Sequence, residues 1–64
     1  MSPPEADRLT ARLQRDGVPV TVQTPAPGVV VLWPALELTV AQEAHTLYLV
    51  CDETDASVRW AGVA

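Results

Sequence analysis

Two side chains of this sequence, His45 and Cys51, could in principle support nucleophilic catalysis, with the imidazole as base and the thiol as nucleophile. They stand six residues apart, and no third residue is evident that would orient the imidazole. Cys51 has the strand parity of Leu47 and Leu49, so we expect it to be a small buried apolar residue. His45 lies in a polar stretch, where we expect it to be solvated. The sequence therefore predicts no catalytic residue and a protein that is not an enzyme.

Metal and cofactor sites also lack a sufficient set of residues. Asp52, Glu53 and Asp55 could offer oxygens to a hard cation, but their spacing does not fit a calcium loop, so a solvated turn is favoured. One histidine and one cysteine cannot complete a Cys/His zinc site. Each glycine stands alone, so no phosphate-binding loop is present. We expect no metal and no cofactor, and no small-molecule substrate is evident.

Arginines at spacings of four and three, Arg8, Arg12 and Arg15, would form one stripe on a helix. The stripe could contact an acidic partner or a phosphate, or its heads could pair with acids of the same chain. The net charge is −4; residues 1–16 sum to zero, and residues 17–64 hold one arginine against five acids. Because acidic surfaces repel phosphate, pairing within the chain is favoured and no nucleic acid or membrane is expected as a partner.

The aromatic residues are few, and each could serve either ligand binding or packing. Trp33, Tyr48 and Trp60 could stack on bases or sugars. In a domain this small, aromatic side chains are mostly core, so we expect the tryptophans in the core or at a self-interface. The parity of Tyr48 opposes that of Leu47 and Leu49, which places it on the other face of a predicted strand.

The elements that would position these residues change in type at Gly17. Before it, Ser2-Pro3-Pro4-Glu5 is typical of a helix start, and Gly17 is typical of a helix end. The apolar residues of this segment share one helical face: Ala6, Leu9 and Leu13. The spacing predicts a helix over about residues 3–16.

After Gly17, apolar residues alternate or run together as in strands. The predicted strands cover about residues 18–24, 29–33, 36–41, 46–51 and 58–61. The predicted fold is α+β in a single domain (1–64), with one amino-terminal helix packed on a four-stranded antiparallel meander. A fifth strand arises if Pro34 divides two of them. A two-sheet barrel with little role for the helix is the alternative.

One helix can cover only one face of such a sheet, so apolar residues on the other face are left exposed. The residues predicted for that second face are Val30, Leu32, Tyr48 and Val50. An exposed apolar patch usually marks a partner. We therefore expect a small non-enzymatic interaction module that forms a homodimer, or binds another protein, through its sheet.

A second functional class stays open: an acidic inhibitor or decoy that occupies a basic site on another protein. Five acids against one arginine after residue 16 are compatible with it. The possible contact for an acidic partner, formed by Arg8, Arg12 and Arg15, is a separate hypothesis. No apolar run reaches the length of a membrane span, and the single cysteine fits a reducing compartment. The expected location is the cytoplasm.

Overall fold

The chain forms two helices and a three-stranded mixed sheet in a computed structural model that describes residues 1–62. The elements in chain order are α1 (Pro3–Arg15), β1 (Val20–Ala26), β2 (Val29–Pro34), α2 (Val40–Glu53) and β3 (Ser57–Trp60). The sheet order is β1-β2-β3; β1 and β2 are antiparallel, whereas β2 and β3 are parallel. The fold is α+β, but the predicted four-stranded antiparallel meander is wrong.

Helix α1 lies where the sequence predicts it, and Gly17 ends it. The Gly17 amide donates to the Gln14 carbonyl at 3.1 Å, and the Val18 amide donates to the Leu13 carbonyl at 2.8 Å. This pair of bonds is the Schellman motif, which needs a left-handed residue, and Gly17 has a φ of 82°. Leu13 and Val18 are both buried, so the motif also directs the chain into β1.

Pro34 is tolerated at the end of the central strand because the parallel ladder stops there. The Leu32 carbonyl accepts a hydrogen bond from the Ala61 amide at 2.9 Å, so alternate residues of β2 turn their backbone polar groups towards β3. Pro34 is the next residue of β2 whose backbone faces the β3 side, but β3 ends at Trp60, the partner of Leu32. Its missing N–H therefore removes no strand hydrogen bond.

Helix α2 replaces the predicted strand at 46–51 and the end of the one at 36–41, whose first four residues form a bend and a loop. Thr39 begins it with a capping box: the Thr39 hydroxyl accepts from the Gln42 amide at 3.1 Å, and the Gln42 side chain accepts from the Thr39 amide at 2.9 Å. A parallel partner for β2 also requires a crossover connection, which α2 supplies. Both the capping signal and the topology therefore favour a helix over a hairpin.

Both helices pack on the same face of the sheet. One core cluster joins residues of α1, the α1–β1 turn, β1, β2 and α2: Ala6, Leu9, Leu13, Val18, Val20, Val22, Val30, Leu32, Leu49 and Val50. Val58 and Trp60 of β3 pack against this cluster from the same face. The chain thus covers one sheet face with two helices rather than one, and the domain is 16 Å thick along its shortest axis, as expected for two layers.

Candidate functional site

The residues predicted for an interface do not share one surface. Val30 and Leu32 are fully buried in β2, and Val50 is fully buried in α2. Tyr48 is 72% exposed on the outer side of α2, not on the sheet. Three of the four residues therefore lie in the core, and a partner could reach them only if the fold opened.

The open sheet face is the surface of the sheet that lies opposite the core. Because side chains alternate along a strand, β2 directs Val29, Val31 and Trp33 to this face. The register places residues of β1 and β3 beside them on the same face: Thr21, Gln23, Ser57 and Arg59. Trp33 is 47% exposed, whereas Val29 and Val31 are half-buried between their neighbours. This face holds no carboxylate and one arginine.

Helix α2 carries a second apolar surface, on the side that points away from the core. Its members recur at spacings of four, three and four, which is the spacing of one helical stripe. These members are Val40, Ala44, Leu47 and Cys51, and Tyr48 lies beside Leu47. We name the five residues together the α2 stripe. All five are exposed, and Val40 is 84% exposed.

The lysine, arginine and acidic positions of the chain segment that carries the α2 stripe are all acidic. Residues 35–58, which run from the end of β2 through α2 into β3, hold five carboxylates and no lysine or arginine: Glu37, Glu43, Asp52, Glu53 and Asp55. Glu43 lies on α2 to one side of the stripe and Asp52 to the other, as their angular positions on a helix require. The two apolar surfaces of the domain therefore differ in electrostatics, since the open sheet face is free of acids.

A groove of about 740 Å³ lies where β2 and β3 end and α2 begins. Pro34, Leu36, Leu38 and Trp60 supply most of its apolar wall. Glu37 and Glu43 also line it, so the groove disfavours anionic ligands. Glu43 borders both this groove and the α2 stripe.

The arginine stripe is exposed on α1, as the spacing predicts. Arg12 lies 3.9 Å from the Asp16 carboxylate at the end of its own helix. Arg8 and Arg12 also line the groove between the helices, opposite Asp52 and Glu53. This placement agrees with the interpretation that the arginines face acids of the same chain.

Polar contacts tie α2 to the end of α1. The Nε2 atom of His45 lies 2.9 Å from Oδ2 of Asp16, and the side-chain Nε2 of Gln42 donates to the Gly17 carbonyl at 3.3 Å. The hydrogen bond with His45 lowers the pKa of the Asp16 carboxyl. Desolvation opposes this shift, and the electrostatic effects of His45, Arg12 and Arg15 add to it. His45 therefore has a structural partner in Asp16.

Cys51 is exposed, so the prediction that it is buried is wrong. The error follows from the strand assignment, because on a helix Cys51 shares a face with Val40 and Leu47 rather than with Leu49. Within residues 1–62, no group of three or more histidine, cysteine or acidic side chains is placed to hold a metal ion. None of the helices in that range is both long and apolar enough to traverse a bilayer.

One sequence signal could have revealed the α2 stripe. Thr39-Val40-Ala41-Gln42 fits the capping-box pattern, and a helix begun at Thr39 places residues 40, 44, 47 and 51 on one face.

Comparison of the chain with protein-family models, with curated proteins and with solved structures finds no match. The function must accordingly be argued from the surfaces of this chain.

Proposed function

We propose that this chain is a small, non-enzymatic, cytoplasmic interaction module that self-associates through the open sheet face. The observation that carries the proposal is the row Val29, Val31 and Trp33 on the side of the sheet away from both helices. Apolar side chains in such a row are typical of a surface that a partner covers.

Charge favours a second copy as the partner at this face. The chain carries a net charge of −4, so two copies repel each other wherever their carboxylates meet. The open sheet face holds Arg59 and no acid, and it is therefore the surface on which two copies can approach with the least repulsion.

The size of the face sets the expected affinity. Three strands about 4.8 Å apart, with about 3.3 Å per residue along β2, give an area of about 300 Å². A standard interface buries about 800 Å² on each partner, so this face alone supports a weak dimer. We therefore expect a transient dimer of the kind formed by small interfaces.

Sedimentation equilibrium at increasing concentration tests the proposal. Gln23→Glu and Trp33→Glu each place a new carboxylate on the open sheet face, and each is expected to weaken the dimer by about tenfold or more. Ala11→Glu adds the same charge on exposed α1 and is the control, expected to leave the dimer unchanged. Far-UV circular dichroism checks that the variants are folded. A parent chain that stays monomeric at about 1 mM, or a Gln23→Glu variant that dimerises like the parent, contradicts the proposal.

A second candidate function is favoured by the acids of residues 35–58: the chain is an acidic inhibitor or decoy that binds a basic site on another protein. Five carboxylates without a lysine or arginine in this segment support it. Such a complex should weaken strongly as salt rises to about 0.5 M, whereas a sheet-to-sheet dimer held by apolar contacts should persist.

A further inference from the structure

We infer that the α2 stripe docks into an apolar groove rimmed by lysine or arginine on a different protein. This inference rests on the second candidate function and names the surface that would perform it. It does not depend on self-association, because the open sheet face lies on the opposite side of the domain from α2.

The stripe has the geometry of a groove-binding helix. α2 buries Thr46, Leu49 and Val50 on its inner side, so its outer side is free to present a second set of apolar residues. Exposed residues at 40, 44, 47 and 51 repeat at the spacing with which a helix fills a groove or pairs with another helix. The largest of these surfaces come from Val40, Leu47 and Tyr48, each at least 36% exposed.

The flanks of the stripe determine the chemistry of its partner. Glu43 borders it on one side and Asp52 on the other. Segment 35–58 itself has no lysine or arginine, and the arginines nearest to this flank, Arg8 and Arg12 of α1, line the groove beyond Asp52. A groove with cations on both rims would meet these carboxylates while its apolar floor meets Tyr48 and Leu47.

A second copy of this chain does not offer such a groove. Its arginines at 8, 12 and 15 lie on α1, whose exposed side has no large apolar residue. Its own α2 stripe is acidic, so two stripes would bring like charges together. Its open sheet face has an apolar row but a single arginine. A different protein therefore fits the surface better than a second copy.

Binding to a defined basic peptide tests the inference. The probe is a fluorescent leucine–lysine peptide of the length of α2, with leucines on one helical face and lysines on both flanks. The matched peptide has glutamate at every lysine position. Fluorescence anisotropy is expected to show binding of the lysine peptide only, weakened by about tenfold or more between about 0.1 and 0.5 M salt.

Variants separate the α2 stripe from the open sheet face. Val40→Gln combined with Tyr48→Gln removes apolar surface at two exposed positions and should weaken peptide binding by about tenfold or more. Asp52→Asn combined with Glu43→Gln should weaken it and flatten its salt dependence. Gln23→Glu on the open sheet face is the control and should leave peptide binding unchanged while weakening the dimer.

Several outcomes overturn the inference. The inference is wrong if the glutamate peptide binds as tightly as the lysine peptide, or if the folded stripe variant binds the lysine peptide like the parent. Loss of the dimer in the stripe variant would assign the stripe to a second copy. Stripe-dependent binding of anionic lipid vesicles would assign it to a membrane. A monomeric parent that still binds the lysine peptide through the stripe refutes self-association alone and leaves this inference supported.

Discussion

The two helices of this domain have nearly the same length but present different surfaces to solvent. α1 buries Ala6, Leu9 and Leu13, and its exposed side carries charged and small residues. α2 buries Thr46, Leu49 and Val50, yet it also exposes a row of apolar residues on its other side. Packing against the sheet accounts for all of the large apolar residues of α1 and for only part of those of α2. α1 therefore places all of its large apolar residues in the core, whereas α2 also leaves a row of them on the surface.

The same substitution in each helix gives the largest expected contrast. Leu13→Ala in α1 empties a fully buried site and should lower the free energy of unfolding by about 2–5 kcal/mol. Leu47→Ala in α2 removes a side chain that is 36% exposed and should cost about 1 kcal/mol or less. Urea denaturation followed by circular dichroism measures both. Equal losses of unfolding free energy in the two variants would show that the outer side of α2 is needed for folding, as the inner side of α1 is.

A pair of threonines extends the contrast to hydrogen bonds. The Thr10 hydroxyl of α1 accepts from the Val22 amide of β1 at 2.8 Å and donates to the Ala6 carbonyl. The buried Thr46 hydroxyl donates to the Gln42 carbonyl at 2.8 Å, within its own helix. Thr10→Val leaves the Val22 amide without its partner and should cost about 1–2 kcal/mol, whereas Thr46→Val should change stability by about 0.5 kcal/mol or less.

Thr10 also covers part of the free edge of β1, which gives its replacement a second measurable result. The Val22 amide points away from β2, so without Thr10 it is available to another strand. We expect Thr10→Val to aggregate faster than Thr46→Val at equal concentration, as light scattering would report. Equal stability and equal aggregation of the two variants would contradict the role assigned to Thr10.

The sequence predicts α1 and misses α2 because the local sequence signals indicate a helix clearly only in α1. Local signals for α1 agree with its packing: a proline at the first turn, a glycine after the last turn and one apolar face. In α2 the run Leu47-Tyr48-Leu49-Val50-Cys51 is apolar on both sides of the helix. One of these sides packs on the core and the other is exposed. A short run of this kind has no helical period, so strand and helix are not distinguished by it.

A related ambiguity explains why the predicted interface residues do not lie on the open sheet face. An uncovered sheet face is an expectation that follows from the size of the chain, but its residues depend on which strand side the helices cover. The sequence predicts Val30 and Leu32 on that face, whereas the structure places Val29, Val31 and Trp33 there. Strand parity defines two sets of residues, and only tertiary packing decides which set is buried.

The helix starts also differ, and the expected effects are smaller. Thr39→Ala removes the side chain that accepts from the Gln42 amide and should cost about 1 kcal/mol. The Ser2 hydroxyl makes no capping bond to the α1 backbone; it donates to the Glu5 carboxylate at 3.0 Å on the exposed surface. Ser2→Ala should therefore change stability by a few tenths of a kcal/mol at most. Thermal unfolding measures both, and a larger loss for Ser2→Ala would reverse the assignment of the caps.

The smallest expected effect concerns the contact that joins the two helices, between Asp16 and His45. Because the hydrogen bond with His45 is the main cause of the lowered pKa of Asp16, His45→Ala should raise that pKa more than Arg12→Ala does. Carbon-detected NMR titration of the Asp16 carboxyl measures both shifts.

The sign of the accompanying pH dependence follows from the direction of that shift. A carboxyl whose pKa is lower in the folded state supports folding above its unfolded pKa of about 4, and this support is lost as the pH falls through the folded pKa. The parent should therefore lose more stability than His45→Ala on acidification below about pH 4. A parallel loss in the two proteins would mean that Asp16 and His45 do not couple α1 to α2 in solution. α2 would then be held in place by the hydrogen bond from Gln42 to Gly17 and by the contacts of its inner side with the core.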